Sequence, residues 1–127
     1  MHKDVLSLMD GGLKTGITEY MRCMGLRGDA VREAPRLLTD VDALIMPTCL
    51  ITAPSIDEVL GNETGKIRRL LLRNTELFNM SGLPALSLPL GKTGASMPTA
   101  LQVVGDHGED GLVVSVAEKL WTLLHAR

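Results

Sequence analysis

Residues 72–89 read LRNTELFNMSGLPALSLP, and this stretch decides which fold the sequence predicts. Its first part completes a helix over about residues 65–80, because apolar side chains recur there at helical spacing. The apolar stripe consists of Ile67, Leu70, Leu71, Leu77 and Phe78. The segment Gly82-Leu83-Pro84 ends this helix, and residues 85–90 then predict a short buried strand. A helix that leads directly into an apolar strand indicates an α/β domain.

One position on the helical stripe is polar, because Asn74 stands where the spacing calls for an apolar residue. Burying an amide without a hydrogen-bonding partner costs about 1–3 kcal/mol, so this side chain needs a partner. Two interpretations stay open for Asn74 and for Asn79, which follows five residues later. Either both amides bind nearby backbone, or this end of the helix lines a polar pocket.

The segments upstream predict two helices and a strand. The first helix covers about residues 1–13, and the second begins after Thr15, with Gly25 and Gly28 expected to interrupt it. Asp29 is expected to cap a continuation that Pro35 then shortens. Residues 41–47 contain a short apolar run closed by proline, which indicates a buried strand. Ser55 and Glu58 have the spacing of a capping box, which predicts a short helical turn.

The segments downstream complete the sheet. Residues 99–105 predict a third strand and residues 110–125 a last helix. The link at 91–97 is too short for a crossover helix, so the strands on either side of it should be antiparallel neighbours. The order α-α-β-α-β-β-α predicts one α/β domain over residues 1–127. Its mixed three-stranded sheet, larger if the chain self-associates, would be flanked by helices.

Composition narrows the possible functions. The 127 residues are 45% hydrophobic with a net charge of −2, which gives no electrostatic case for nucleic acid or an anionic membrane. No apolar run reaches the roughly 18–20 residues that a membrane span requires. The two cysteines, Cys23 and Cys49, have no short-range pairing, which predicts a cytoplasmic protein without a disulfide framework or a zinc site. Three aromatic residues leave the core to aliphatic side chains, which is more typical of part of a larger domain.

Two segments have some features of a nucleotide site or a metal site, but neither has the residues that such a site requires. Gly91-Lys92-Thr93 resembles the end of a phosphate-binding loop, but Leu86 stands where that loop needs a glycine. The acidic loop at 106–110 matches no metal-ligand spacing and is better placed to precede a helix N-terminus. We therefore predict no cofactor and no metal. Ser81 and Ser87 lack the sequence context of a nucleophile, so we expect structural uses for both and no catalytic residue in the chain.

Three segments resemble the C-terminal third of the amidase-signature family. Residues 42–48, DALIMPT, are similar to that family's DALLMPT strand, and residues 72–89 resemble its block RNT-xx-FN-xx-GLPALSLP. Residues 97–105, MPTALQVVG, are similar to its LPVGLQLVG strand. The closing helix after Glu109 also follows the family pattern, so the resemblance covers nearly the whole chain.

The resemblance implies a function that this chain does not perform alone. Members of the family are α/β/α enzymes that hydrolyse amides with a Ser–cis-Ser–Lys triad, and none of these residues can be placed in residues 1–127. The chain would then be the C-terminal segment of an amidase, or of an enzyme like the A subunit of glutamyl-tRNA(Gln) amidotransferase. Alone it should be inactive. Leu72 favours the amidase, because the amidotransferase subunits have an aspartate at that position.

The resemblance also implies which residues border the substrate. In the family, the regions that match residues 74–82 and the loop after Pro47 border the acyl side of the pocket for a small-molecule amide. The residues carried over on this basis are Thr48, Asn74, Thr75, Phe78 and Asn79. A second class of function stays open, in which the chain is a non-catalytic interaction module. A sheet that continues into missing strands would expose an edge and an apolar face, and both can bind a partner or a second copy of the chain. We therefore expect either self-association or a missing N-terminal portion as the partner.

Overall fold

The computed structural model describes residues 3–60, 65–92 and 97–126, so the predicted link at 91–97 lies partly outside the described residues. Its elements are α1 (Lys3–Leu13), α2 (Ile17–Glu33), a 3-10 helix (Ala34–Leu38), β1 (Leu44–Pro47), α3 (Ile56–Val59), α4 (Lys66–Ser81), β2 (Ala85–Lys92), β3 (Pro98–Val104) and α5 (Asp110–His125). The α/β class and the predicted order of the main elements are confirmed.

The three strands form one sheet in the order β1-β3-β2. Leu44 pairs with Val104 in β1, and Leu86 pairs with Val103 in β2, both in antiparallel register. The expectation that β2 and β3 are antiparallel neighbours is confirmed. We expected a mixed sheet, and β1 and β2 do run in the same direction. Because β3 lies between them, however, both pairings among the described strands are antiparallel.

The core lies on both faces of β3. Val103 is fully buried on one face against Val113 and Ala117 of α5. Val104 is fully buried on the other face, in a cluster with Phe78 of α4 and Leu38 of the 3-10 helix. Successive residues of a strand point to opposite faces, so this adjacent apolar pair requires a helix layer on each side. The described elements are thus arranged in three layers, helix on sheet on helix.

Gly25 and Gly28 do not interrupt the second helix, which corrects the prediction. The helix α2 continues through both glycines to Glu33, and Asp29 forms an ion pair with Arg32 instead of capping a new helix. A glycine inside a helix costs only about 1 kcal/mol relative to alanine, which the rest of a long helix offsets. The proline at position 35 lies in the first turn of the 3-10 helix, where its missing N–H has no helical partner to lose.

The first strand is shorter than predicted. It begins at Leu44 rather than at position 41, because the Val41 amide donates to the Leu38 carbonyl in a turn (3.3 Å). The capping box is confirmed: the Ser55 side chain accepts from the Glu58 amide, and the Glu58 carboxylate accepts from the Ser55 amide (2.9 Å). This box closes the segment between β1 and α3.

The apolar faces of α1 and α2 are only partly covered by the described residues. The side chains that predicted these helices are each at least 41% exposed. They are Val5, Leu6, Met9 and Leu13 in α1 and Ile17, Met21 and Met24 in α2. We call this set the α1–α2 apolar face. No helix among residues 3–60, 65–92 and 97–126 is long and apolar enough to cross a membrane.

Candidate substrate pocket

A cavity of about 720 Å³ lies where β1 passes into the loop that follows it. We call it the strand-end cavity. Its walls are residues 47–53, Leu71 of α4, three residues of β2 and residues 98–101 at the start of β3. Pockets for small molecules usually measure about 300–1,000 Å³, so this cavity has a suitable size.

The lining that the structure describes is uncharged. Its polar groups are the hydroxyls of Thr48, Thr52, Ser87 and Thr99 and the thiol of Cys49, and the remaining lining is aliphatic or proline. The Thr48 and Ser87 hydroxyl oxygens are 3.0 Å apart, within hydrogen-bonding distance. This hydroxyl pair is the one side-chain hydrogen bond that the structure places between two described walls of the cavity.

The position of the hydroxyl pair follows from the sheet register. The Thr48 amide donates to the Ala100 carbonyl (3.0 Å), which extends the β1–β3 pairing by one residue beyond Pro47. Ser87 pairs with Gln102, two residues further along β3 on the same face. The two hydroxyls therefore approach each other from opposite sides of β3, on the face that carries α4.

Asn74 ties α4 to the sheet behind the cavity. Its side-chain amide donates to the Pro47 carbonyl (2.7 Å), directly before Thr48. Its own backbone carbonyl accepts from the side chain of Gln102 (2.9 Å), which is only 3% exposed. Asn74 thus satisfies its amide with backbone, the first of the two open interpretations, and it does so at the residue that precedes the cavity loop.

The structure does not bring the other predicted residues together at this cavity. The Thr75 hydroxyl donates to the Leu72 carbonyl of its own helix (3.1 Å), and Asn79 is exposed near the end of α4. Phe78 is 3% exposed and packs in the core, so its ring has a structural use. Of the five predicted residues, Thr48 lines the cavity. A substrate contact by any of the five stays a prediction.

Two residues of this region are not identified by the sequence patterns. The sequence predicts only a structural use for Ser87 inside a strand, yet its hydroxyl lines the cavity and meets Thr48. Gln102 has no predicted role, although it is buried and holds α4 through the Asn74 carbonyl. The sequence does contain a signal for Gln102, because an amide within the apolar run of residues 100–104 must find a partner. For Ser87 no pattern in the sequence shows that Thr48 lies opposite.

The far end of the cavity loop is fixed by a charged group outside the cavity. The Ser55 amide and hydroxyl both donate to the Glu58 carboxylate, and these bonds hold the pKa of Glu58 below its ordinary value. The loop is therefore anchored by Asn74 at its start and by the capping box at its end. Among the described residues, no cluster of histidine, cysteine and acidic side chains could hold a metal ion.

A second concavity, of about 620 Å³, runs along α4 and is a poorer candidate. Its described lining comes from this one helix and includes Lys66, Arg69, Arg73 and Glu76. A surface formed by a single helix cannot surround a ligand, whereas the strand-end cavity combines a loop, a helix and two strands. The latter is therefore the better candidate for a small-molecule site.

Comparison with known proteins identifies the family. The family model described as Amidase matches residues 8–114, so the chain belongs to the amidase family. The AmiD protein of Mycobacterium tuberculosis is 30% identical over 109 residues, which are 85% of this chain and 23% of AmiD. The glutamyl-tRNA(Gln) amidotransferase A subunit of Methanothermobacter thermautotrophicus is 31% identical over 105 residues, 82% of this chain and 22% of its own length. The chain thus spans less than a quarter of the length of these relatives.

Solved structures agree with this assignment. The structure of 6-aminohexanoate cyclic dimer hydrolase complexed with substrate matches all of this chain and 30% of its own, with a TM-score of 0.80 and 26% identity. Allophanate hydrolase of Kluyveromyces lactis matches 98% of this chain and 20% of its own, with a TM-score of 0.85. At 21% identity this second likeness shows the fold alone. The resemblance to amidase-signature enzymes is confirmed.

Proposed function

We propose that this chain forms the C-terminal part of an amidase that hydrolyses the C–N bond of a small-molecule amide. The chain supplies three strands and one wall of the substrate pocket, and the Ser–cis-Ser–Lys triad comes from another part of the enzyme. The observation that supports this best is the strand-end cavity, because segments that resemble the family build most of its walls. A nucleophile placed opposite the Thr48–Ser87 pair would complete a pocket of ordinary size.

The remainder of the enzyme would also cover the α1–α2 apolar face. Seven apolar side chains on two consecutive helices are each at least 41% exposed, which is unusual for side chains that stay in water. Burying apolar area stabilises by about 25 cal/mol per Å², so covering such a face would contribute strongly to the association of the two parts. In this proposal α1 and α2 form the interface between the chain and the rest of its domain.

The same face favours a second candidate, a non-catalytic interaction or oligomerisation module. Both β1 and β2 are edge strands among the described elements, and an edge strand can pair with another chain. A third possibility, that the chain is part of the A subunit of a tRNA amidotransferase, is supported by the relative of that kind. Leu72 weighs against it, since the resemblance assigns an aspartate to that position in those subunits.

The test compares this chain with the natural protein that contains it. Residues 1–127 alone should show no turnover of simple aliphatic and aryl amides, because the proposed triad is elsewhere. The natural protein, together with any chain that co-purifies with it, should release ammonia or amine from at least one of them. Turnover by residues 1–127 alone would contradict the proposal that the triad lies outside these residues. A natural protein that hydrolyses no amide would contradict the amidase proposal.

Sedimentation separates the interaction module from the amidase part. As an interaction module, residues 1–127 should form a defined oligomer at micromolar concentration, and the natural protein should lack amide hydrolysis. As an amidase part, the natural protein should hydrolyse amides whatever its oligomeric state. A monomer of residues 1–127 that binds no dye specific for exposed apolar surface would count against both uses of the α1–α2 apolar face.

A further inference from the structure

We propose that the strand-end cavity binds an uncharged, mainly hydrocarbon group of the substrate and discriminates against substrates that carry a charge there. This inference rests on the proposed function, because it takes the cavity as part of an amide site. It goes further by naming the class of substrate. Three observations carry it: the uncharged lining that the structure describes, the direction in which Arg69 and Arg73 of α4 point, and the internal hydrogen bond of the hydroxyl pair.

The lining that the structure describes offers no countercharge to a ligand. Among the residues that the structure describes, the walls consist of aliphatic and proline side chains with four hydroxyls and one thiol. Moving an ion from water into such surroundings costs several kcal/mol unless an opposite charge or several hydrogen bonds replace its hydration. A neutral hydrocarbon group has no such cost and gains from leaving water. The chemistry of the walls therefore favours the neutral group.

Two arginines of α4, Arg69 and Arg73, point away from the strand-end cavity. Arg68, three residues before Leu71, lines a separate small cavity with Leu71 and is outside the described lining of the strand-end cavity. Leu71 faces the strand-end cavity, whereas Arg69 and Arg73 line the separate concavity along α4. A separation of two residues rotates a helical side chain by about 200°, so neither arginine points the same way as Leu71. A substrate carboxylate in the cavity would find no partner in these two guanidinium groups.

The hydroxyl pair has little capacity left for an ion. The Thr48 and Ser87 hydroxyls lie 3.0 Å apart, so one of their two protons is used between them. One O–H donor and the remaining oxygen lone pairs are free to point into the cavity. That is enough for one hydrogen bond to a neutral polar atom, and it is too little to replace the hydration of a carboxylate. The pair would orient an uncharged group without attracting a charged one.

The experiment measures binding separately from hydrolysis. Ketones that lack the scissile C–N bond serve as probes of the natural protein: heptan-2-one is neutral, and 6-oxoheptanoate carries a carboxylate in place of the terminal methyl group. We expect heptan-2-one to bind at least about tenfold more tightly, measured by calorimetry or ligand-observed NMR. Equal or tighter binding of the carboxylate, or no measurable binding of heptan-2-one, would overturn the inference.

A variant with an added charge locates the discrimination in this cavity. Leu50 lies in the lining and is 46% exposed, so Leu50→Arg can be accommodated at the mouth. It should reduce the preference for the neutral ketone by about tenfold, because it supplies the missing countercharge. The matched control is Leu124→Arg, at a residue of α5 that is 50% exposed and outside the described lining; it should leave the ratio unchanged. An unchanged ratio in Leu50→Arg would place the discrimination elsewhere and overturn the inference.

The two proposals fail in different ways. If the neutral ketone binds preferentially and the natural protein hydrolyses no amide, the amidase function is contradicted and the cavity's preference holds. If the protein hydrolyses amides but prefers those with a charged acyl group, and the carboxylate ketone binds more tightly, the amidase function holds and the inference is overturned.

Discussion

The strand β3 and the helix α2 are both defined by apolar patterns, yet their side chains have opposite surroundings. Val104 of β3 is fully buried between helices and neighbouring strands, whereas Met21 of α2 is 61% exposed. The pattern in each case shows which side of the element is apolar. It does not show whether the partner of that side belongs to the same chain. The difference separates the part of the chain that completes its own core from the part whose apolar side chains are exposed among the described residues.

The largest expected effect comes from truncating one apolar side chain in each region. Val104→Ala should lower the free energy of unfolding by about 2–4 kcal/mol, because it leaves a cavity in the core beside Phe78. Met21→Ala should change it by less than about 0.5 kcal/mol, because the side chain is mostly in water. Urea unfolding of residues 1–127 measures both. Similar losses in the two variants would show that α2 is buried in solution.

Two glycines give the next contrast. A Cβ at Gly105 would lie 2.6 Å from the Val113 Cγ2 atom, and Val113 is buried, so Gly105→Ala should destabilise by about 1–3 kcal/mol. Gly25 lies inside α2 with nothing within 4 Å of the added atom. Gly25→Ala should therefore stabilise by up to about 1 kcal/mol through helix propensity. Thermal unfolding distinguishes the two signs, and a stabilising Gly105→Ala would refute the close packing of α5 on β3.

The two asparagines of α4 test the hydrogen bond by which Asn74 holds this helix to the sheet behind the cavity. Asn74→Ala removes the donor to the Pro47 carbonyl and should cost about 1–3 kcal/mol. Asn79→Ala, at an exposed position of the same helix, should stay within about 0.5 kcal/mol of the parent. If the inference about the strand-end cavity is right, Asn74→Ala should also weaken binding of heptan-2-one by loosening the cavity loop. Equal stability of the two variants would contradict a stabilising hydrogen bond between Asn74 and the Pro47 carbonyl.

The smallest effect is expected from the capping box, and it depends on pH. Because the folded-state pKa of Glu58 is lowered by its bonds from Ser55, the folded state binds this proton less readily than the unfolded state. The contribution is therefore present above the unfolded pKa of glutamate and is lost as the pH falls through the lowered folded value. Glu58→Gln should remove this part of the pH dependence, as measured by unfolding across the acid range. Parallel pH profiles for the two proteins would exclude the carboxylate as the cause.

Local patterns are sufficient to predict most elements but not the contacts between them. The stripe from Ile67 to Phe78 predicts α4, and Ser55 with Glu58 predicts the turn at α3, because the cause of each lies within a few residues. The partner of Asn74 is Pro47, 27 residues away, and nothing in either segment identifies the other. The meeting of Thr48 with Ser87 likewise depends on how both strands align with β3. Gly25 shows the opposite error, in which a local preference is overridden by the helix around it.

The position of β3 has a consequence for how the protein is made. Of the three described strands it is the last to leave the ribosome, yet Leu44 of β1 and Ala85 of β2 both pair with its Val104. Until β3 emerges, neither earlier strand has a hydrogen-bonding neighbour among the described strands, so these three strands cannot pair one after another during translation. Contacts so distant in sequence also form slowly. A nascent chain that stalls before Pro98 would leave β1 and β2 without their β3 partner and would be prone to aggregation.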